Sequence, residues 1–154
     1  MGTKRVGWAR IKSLINENTN GLRFQNQNVE TVTADKTLVA DDSGKTFLIN
    51  QNGIDVTLPT PTAGMNFKFV MAQDYATAVC TVTAAGSGYF MAGNVTSLLG
   101  VTGTSTMHAN GSSNEVATFA AASLAGDWLS CVSNGTLWFV QGACSGAAAI
   151  AFSD

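Results

Sequence analysis

A succession of short apolar segments separated by turn-forming residues is the feature that most constrains how this chain folds. Residues 36–70 read KTLVADDSGKTFLINQNGIDVTLPTPTAGMNFKFV. The apolar segments here are short, and each ends at a cluster of Asp, Ser, Gly, Asn or Pro. Segments of this kind, bounded by turns, are typical of β-strands. This part of the chain is therefore predicted to be β throughout.

The same pattern continues to the end of the chain. Phe67 and Phe69 alternate with Lys68, as expected for a strand with one buried face. Further strands are predicted at residues 31–33, 79–83, 89–91, 116–119, 128–132, 137–140 and 150–152. A chain of 154 residues fits one domain with a single core. The predicted fold class is all-β: a single antiparallel β-sandwich or barrel domain over residues 25–154, after a short N-terminal helix or arm over residues 1–24.

The last hairpin can be assigned a register. A two-residue loop of Asn134 and Gly135 would pair Ser133 with Thr136 and Cys131 with Trp138. Both faces of this strand pair are then largely apolar. Such a pair belongs either between two sheets or between a sheet and a neighbouring subunit.

Residues 1–24, the N-terminal arm, differ from the rest in pattern and charge. Trp8, Ile11, Leu14 and Ile15 would share one face of a helix over residues 3–18. A helix of about four turns is marginal alone in water, so this face is expected to dock on the domain, on a symmetry mate or on another protein. The arm carries five basic residues and one acid, giving +4, whereas residues 25–154 carry −6.

Basic residues are absent after Lys68. A phosphate, nucleotide or nucleic acid ligand would therefore have to be bound by the first half of the chain. No nucleic-acid partner is predicted, and no apolar run approaches the ~20 residues that span a bilayer, so no membrane partner is predicted either.

The candidate chemical motifs are weak. Residues 43–46 read SGKT, but Val39 stands where a phosphate-binding loop requires its first glycine, and a strand follows instead of a helix, so Gly44 is assigned to a turn with positive φ. His108 is the single histidine and has no nearby Cys or carboxylate. Asp41, Asp42 and Asp55 lack a calcium-loop pattern, and a solvated turn is the preferred interpretation.

Cysteine spacing also gives no sign of a metal site. Cys80, Cys131 and Cys144 are widely spaced, with no CxxC pair, and are predicted to be reduced and packed. The tryptophans and phenylalanines are interpreted as core or interface residues in preference to a sugar-binding platform. No catalytic, cofactor-binding or metal-binding residue is predicted, and no cofactor is expected.

Three segments resemble structural proteins of tailed phages. Residues 38–70, with the blocks ADDSGKTFLIN, DVTLPTP and AGMNFKFV, resemble a module common in head-decoration and head-fibre proteins and in some tail-fibre tips. Residues 126–142, GDWLSCVSNGTLWFVQG, are similar to the closing hairpin that often accompanies that module. The opening MGTKRVGWARIKSLIN resembles the N-terminus of structural proteins from marine phages.

This resemblance implies a virion structural protein without enzymatic activity, usually a homotrimer. We expect a capsid decoration (cement) protein on the outer capsid surface of the virion, bound to the major capsid protein by the N-terminal arm. The expected anchoring residues are Lys4, Arg5, Trp8, Arg10, Ile11, Leu14 and Ile15. The alternative is a tail-fibre or receptor-binding tip that binds a host-cell surface glycan. A small hydrolase is disfavoured by the lone histidine.

Overall fold

A computed structural model describes residue 7 and residues 28–74, 79–98, 104–146 and 149–154. The described residues form strands joined by turns, with a single 3-10 turn at Ala40–Asp42. The strands are β1 Val29–Val32, β2 Lys36–Thr37, β3 Thr46–Ile49, β4 Asp55–Thr57, β5 Asn66–Met71, β6 Cys80–Thr83, β7 Met91–Leu98, β8 Thr104–Asn110, β9 Val116–Phe119, β10 Trp128–Ser133, β11 Trp138–Cys144 and β12 Ile150–Ser153.

These strands make two sheets that pack face to face. The larger sheet has the order β1-β3-β5-β10-β11-β7-β8, and the smaller has the order β12-β9-β6-β4-β2. The prediction of an all-β sandwich is confirmed. Both sheets are mixed, with parallel and antiparallel neighbours, whereas the sequence pattern predicted antiparallel pairing.

The parallel pairs arise because the first six strands alternate between the two sheets. β1, β3 and β5 lie side by side and parallel in the larger sheet, and β2, β4 and β6 do so in the smaller one. We call these six strands the parallel stack. Phe47 of β3 is the neighbour of Phe69 of β5, and Val56 of β4 is the neighbour of Val82 of β6. Like residues therefore stack on like residues along the core.

The core lies between the sheets and is built around aromatic rings. Phe47 stacks on Phe69 with centroids 5.6 Å apart, and Phe67 packs against both Phe47 and Trp138. Phe67 and Phe69 are buried while Lys68 faces outwards, which confirms the alternation predicted for this strand. Trp138 is completely buried, and its indole N–H has no hydrogen-bond partner among the described residues.

The register predicted for the last hairpin is wrong by two residues. Ser133 pairs with Trp138, and Cys131 pairs with Val140, so the loop has four residues rather than two. The cause is Asn134, whose Oδ1 accepts hydrogen bonds from the backbone N–H groups of Thr136 and Leu137, at 3.0 and 2.9 Å. Because the shift is by two residues, each side chain keeps its predicted face.

The last hairpin joins the β7–β8 pair through a close backbone approach between β11 and β7. Gly93 of β7 is the neighbour of Val140 and has a φ of +148°. A Cβ at Gly93 would lie 1.9 Å from the carbonyl oxygen of Val140. A side chain at this position would therefore strain the backbone and clash with β11. Apart from Gly7, the predicted N-terminal helix lies outside the described residues, and so do all seven anchoring residues.

Candidate functional site

The SGKT segment and the aspartates considered as calcium ligands have structural roles. Gly44 has a φ of +87° in the turn before β3, as predicted for SGKT. Asp55 accepts a hydrogen bond from the hydroxyl of Thr81 at 2.7 Å on the neighbouring strand, and Asp42 lies elsewhere, beside Lys45. No cluster of potential metal ligands exists in the part of the chain that the structure describes.

The predicted state of the cysteines is confirmed. Cys80, Cys131 and Cys144 are free and buried. Burial in an apolar environment raises the pKa of the Cys131 thiol to about 12. Such a thiol stays protonated at neutral pH and is a poor nucleophile.

Two of the described lysines belong to one ion-pair cluster at the start of the parallel stack. Glu30 of β1 accepts hydrogen bonds from Lys36 of β2 and from Lys45, the second at 3.1 Å, and Lys45 also contacts Asp42 at 2.5 Å. The hydrogen bond from Lys36, followed by that from Lys45, lowers the pKa of Glu30. The hydrogen bonds that Lys45 donates to Asp42 and to Glu30 raise the pKa of Lys45.

Asp42 is the most buried carboxylate of this cluster. Desolvation raises its pKa, but the hydrogen bonds from Lys45 and from the Val39 backbone N–H, at 3.1 Å, outweigh that effect and leave the pKa lowered. The cluster thus neutralises its own charges and ties β1, β2 and the turn before β3 together.

The third described lysine, Lys68, is also engaged. Its ammonium group lies 5.0 Å from the ring centroid of Trp128, on the outer face of the larger sheet. A contact of this kind is a cation–π interaction. All three lysines of the described β domain therefore have a partner.

Asp127 is a buried acid whose role was not predicted from the sequence. Its Oδ2 accepts a hydrogen bond from the Leu124 N–H at 3.0 Å, and its Oδ1 accepts from the backbone N–H and the hydroxyl of Ser145, each at 2.8 Å. Asp127 thereby links the loop before β10 to the chain after β11. The Gly-Asp pair immediately before an apolar strand was the signal that could have identified it.

The outer face of the larger sheet carries a pair of exposed apolar side chains on neighbouring strands. Val132 of β10 and Phe139 of β11 are neighbours there, and each is 47% exposed. Beside them lies a groove of about 320 Å³. It is lined by Ala92, Gly93, Asn94, Ser130, Val132, Phe139, Val140 and Gln141. The last hairpin was predicted to be apolar on both faces; its inner face is buried in the sandwich, and its outer face carries this exposed pair.

No family model, curated protein or solved structure matches the chain. The site is therefore interpreted from its own chemistry. In the described residues, no helix is long and apolar enough to cross a membrane. His108 is exposed on β8, beside Asn94 of β7.

Proposed function

We propose that this chain is a virion structural protein, a capsid decoration (cement) protein of a tailed phage. It would bind the major capsid protein on the outer surface of the shell through the N-terminal arm, as a homotrimer. The proposal rests on the resemblance of residues 38–70 and 126–142 to phage surface proteins and on the distribution of charge along the chain.

The observation that carries the proposal is the engagement of the lysines in the β domain. Lys36 and Lys45 are held by Glu30 and Asp42, and Lys68 lies over Trp128. The remaining five basic residues of the chain all belong to residues 1–24. Cationic contact with an acidic partner is therefore assigned to the arm, next to the apolar residues Trp8 and Ile11.

The mechanism would be mass action. A protein that binds the assembled shell more tightly than its separated subunits stabilises the shell by its binding free energy. The basic residues of the arm would meet acidic capsid surface, and the Trp8, Ile11, Leu14 and Ile15 stripe would fill an apolar groove of the shell or a threefold bundle of arms.

Deletion of residues 1–20 tests the assignment. The truncated protein should keep the thermal unfolding transition of the β domain and lose binding to assembled shells in a sedimentation assay. The matched control is the full chain with Lys36→Gln, which removes a cation from the β domain and should leave shell binding intact. Normal occupancy of shells by the truncated protein would refute the role of the arm, and gold labelling on the tail would refute the capsid location.

The second candidate is a tail-fibre or receptor-binding tip for a host-cell surface glycan. It is favoured by one observation, the exposed Phe139 beside a groove with amide side chains. This candidate predicts that the isolated protein binds host cells and that antibodies against it label the tail.

A further inference from the structure

A row of polar side chains crosses the outer face of the larger sheet. Strand register places its members on neighbouring strands, in the order Lys68 of β5, Ser130 of β10, Gln141 of β11, Asn94 of β7 and His108 of β8. With strands ~4.8 Å apart, the row is about 19 Å long. Its middle three members also line the groove of about 320 Å³.

The middle of this row is open for hydrogen bonding. Among the described residues, no protein group hydrogen-bonds to the side chains of Ser130, Gln141 or Asn94. Two exposed amides elsewhere, those of Asn110 and Asn134, instead accept hydrogen bonds from backbone N–H groups of their own turns. The amides in the groove therefore have free donors and acceptors on a rigid sheet.

An exposed apolar edge borders the same groove. Phe139 lies two residues from Gln141 on β11, and Val132 lies two residues from Ser130 on β10. Residues two apart in a strand share a face, so Phe139 and Val132 lie on the same face as the polar row. Ala92 is the neighbour of Phe139 on β7 and extends this edge. The groove thus joins a flat aromatic and aliphatic border to a line of neutral hydrogen-bonding groups.

The chemistry of this surface selects its ligand. The three side chains in the groove are neutral, and the ammonium group of the neighbouring Lys68 lies over the Trp128 ring, so a phosphate would find no free cation here. His108 is the one imidazole of the row and no carboxylate belongs to it, which does not suit a metal ion. A protein partner favours an apolar centre and a polar rim, whereas here the polar row runs through the middle of the surface. A pyranose has the matching character, because its ring has an apolar C–H face and its hydroxyl groups point outward.

We propose that this groove binds a neutral pyranose unit of a glycan. The Asn94 and Gln141 amides and the Ser130 hydroxyl would hydrogen-bond the sugar hydroxyls, and Phe139 would pack on the C–H face of the ring. A groove of about 320 Å³ is at the small end of the range for ligand sites and has room for one sugar unit. We therefore expect a weak affinity for a single sugar, with a Kd in the millimolar range. The inference does not rest on the capsid assignment, since it concerns a surface of the β domain.

Nuclear magnetic resonance of the isotope-labelled full chain tests the site. The probes are methyl β-D-glucopyranoside, methyl α-D-mannopyranoside and methyl β-D-galactopyranoside, each titrated separately. At least one should shift the side-chain amide signals of Asn94 and Gln141 in a saturable manner. Phe139→Ala should weaken that binding roughly tenfold, and Asn94→Ala or Gln141→Ala roughly three- to tenfold each.

Two control variants separate the site from general surface effects. Leu124→Ala removes an exposed apolar side chain of similar exposure, 45%, outside the groove, and Gln51→Ala removes an exposed amide outside it. Both should bind the sugar as the unchanged chain does, and thermal unfolding should show that every variant is folded.

The proposal is overturned if none of the three sugars moves the Asn94 and Gln141 signals, or if Phe139→Ala leaves the titration unchanged. It is also overturned if these signals move with protein concentration in the absence of sugar, because the face would then be covered by a second copy of the chain. The titration uses the isolated protein. Its outcome therefore does not depend on whether the capsid proposal holds.

Discussion

Substitution of Gly93 by alanine should be among the most destabilising single changes in the β domain. The φ of +148° would strain an L residue by about 2 kcal/mol. The added Cβ, built 1.9 Å from the Val140 carbonyl oxygen, would also have to displace the backbone of β11, for about 2 kcal/mol more. The free energy of unfolding should therefore fall by about 4 kcal/mol, and Tm by about 10 °C.

Two other glycines separate these contributions. Gly86 has a φ of +72° but open space where its Cβ would lie, so Gly86→Ala should cost about 1 kcal/mol from strain alone. At Gly142 a Cβ would lie 2.4 Å from the Trp128 carbonyl oxygen, so Gly142→Ala tests crowding. The assay is urea unfolding followed by tryptophan fluorescence. If Gly93→Ala unfolds at the same urea concentration as Gly86→Ala, the close approach of β7 and β11 is refuted.

The remaining predictions concern charge and thiols. The lowered pKa values of Glu30 and Asp42 mean that these carboxylates stabilise the fold above their unfolded pKa, and that this contribution is lost as the pH falls below about 4. Glu30→Gln should lower the free energy of unfolding by less than about 1 kcal/mol at pH 7. In urea unfolding at a series of pH values, this variant should lose less stability on acidification than the unchanged chain does. An unchanged pH profile would contradict the prediction. Cys80, Cys131 and Cys144 should resist iodoacetamide in the folded protein and react fully in urea, and labelling of the folded chain would contradict their burial.

Strands with strong apolar alternation could be predicted from the sequence, and weakly patterned ones could not. The prediction at residues 116–119 coincides with β9, and the segment around Phe67 coincides with β5. The strand predicted at residues 89–91 reaches only Met91, the first residue of β7, and β8 was missed. Both strands are rich in small and polar residues because part of each faces solvent and close backbone packing replaces side-chain packing at Gly93.

The pairing of the strands could not be predicted because it depends on how the chain turns between sheets. Short segments joined by tight turns favour hairpins. In the parallel stack the chain instead crosses to the other sheet at each turn. At one crossing Asp35 accepts a hydrogen bond from the Asp55 backbone N–H at 2.9 Å. This contact joins residues twenty positions apart, so neither residue identifies it by its local sequence.

The candidate site was hidden from the sequence for the same reason. Ser130, Gln141 and Asn94 are ordinary polar residues in their own segments, and only the parallel pairing of β11 with β7 brings Asn94 beside Gln141. In a hairpin-only sandwich the outward residues of β11 would have had a different neighbour. The departure of the sheets from antiparallel pairing therefore creates the polar row, and the glycine required at position 93 for that pairing also lines the groove. Fold and candidate binding surface depend on the same backbone contact, so a variant that separates β7 from β11 should lose both.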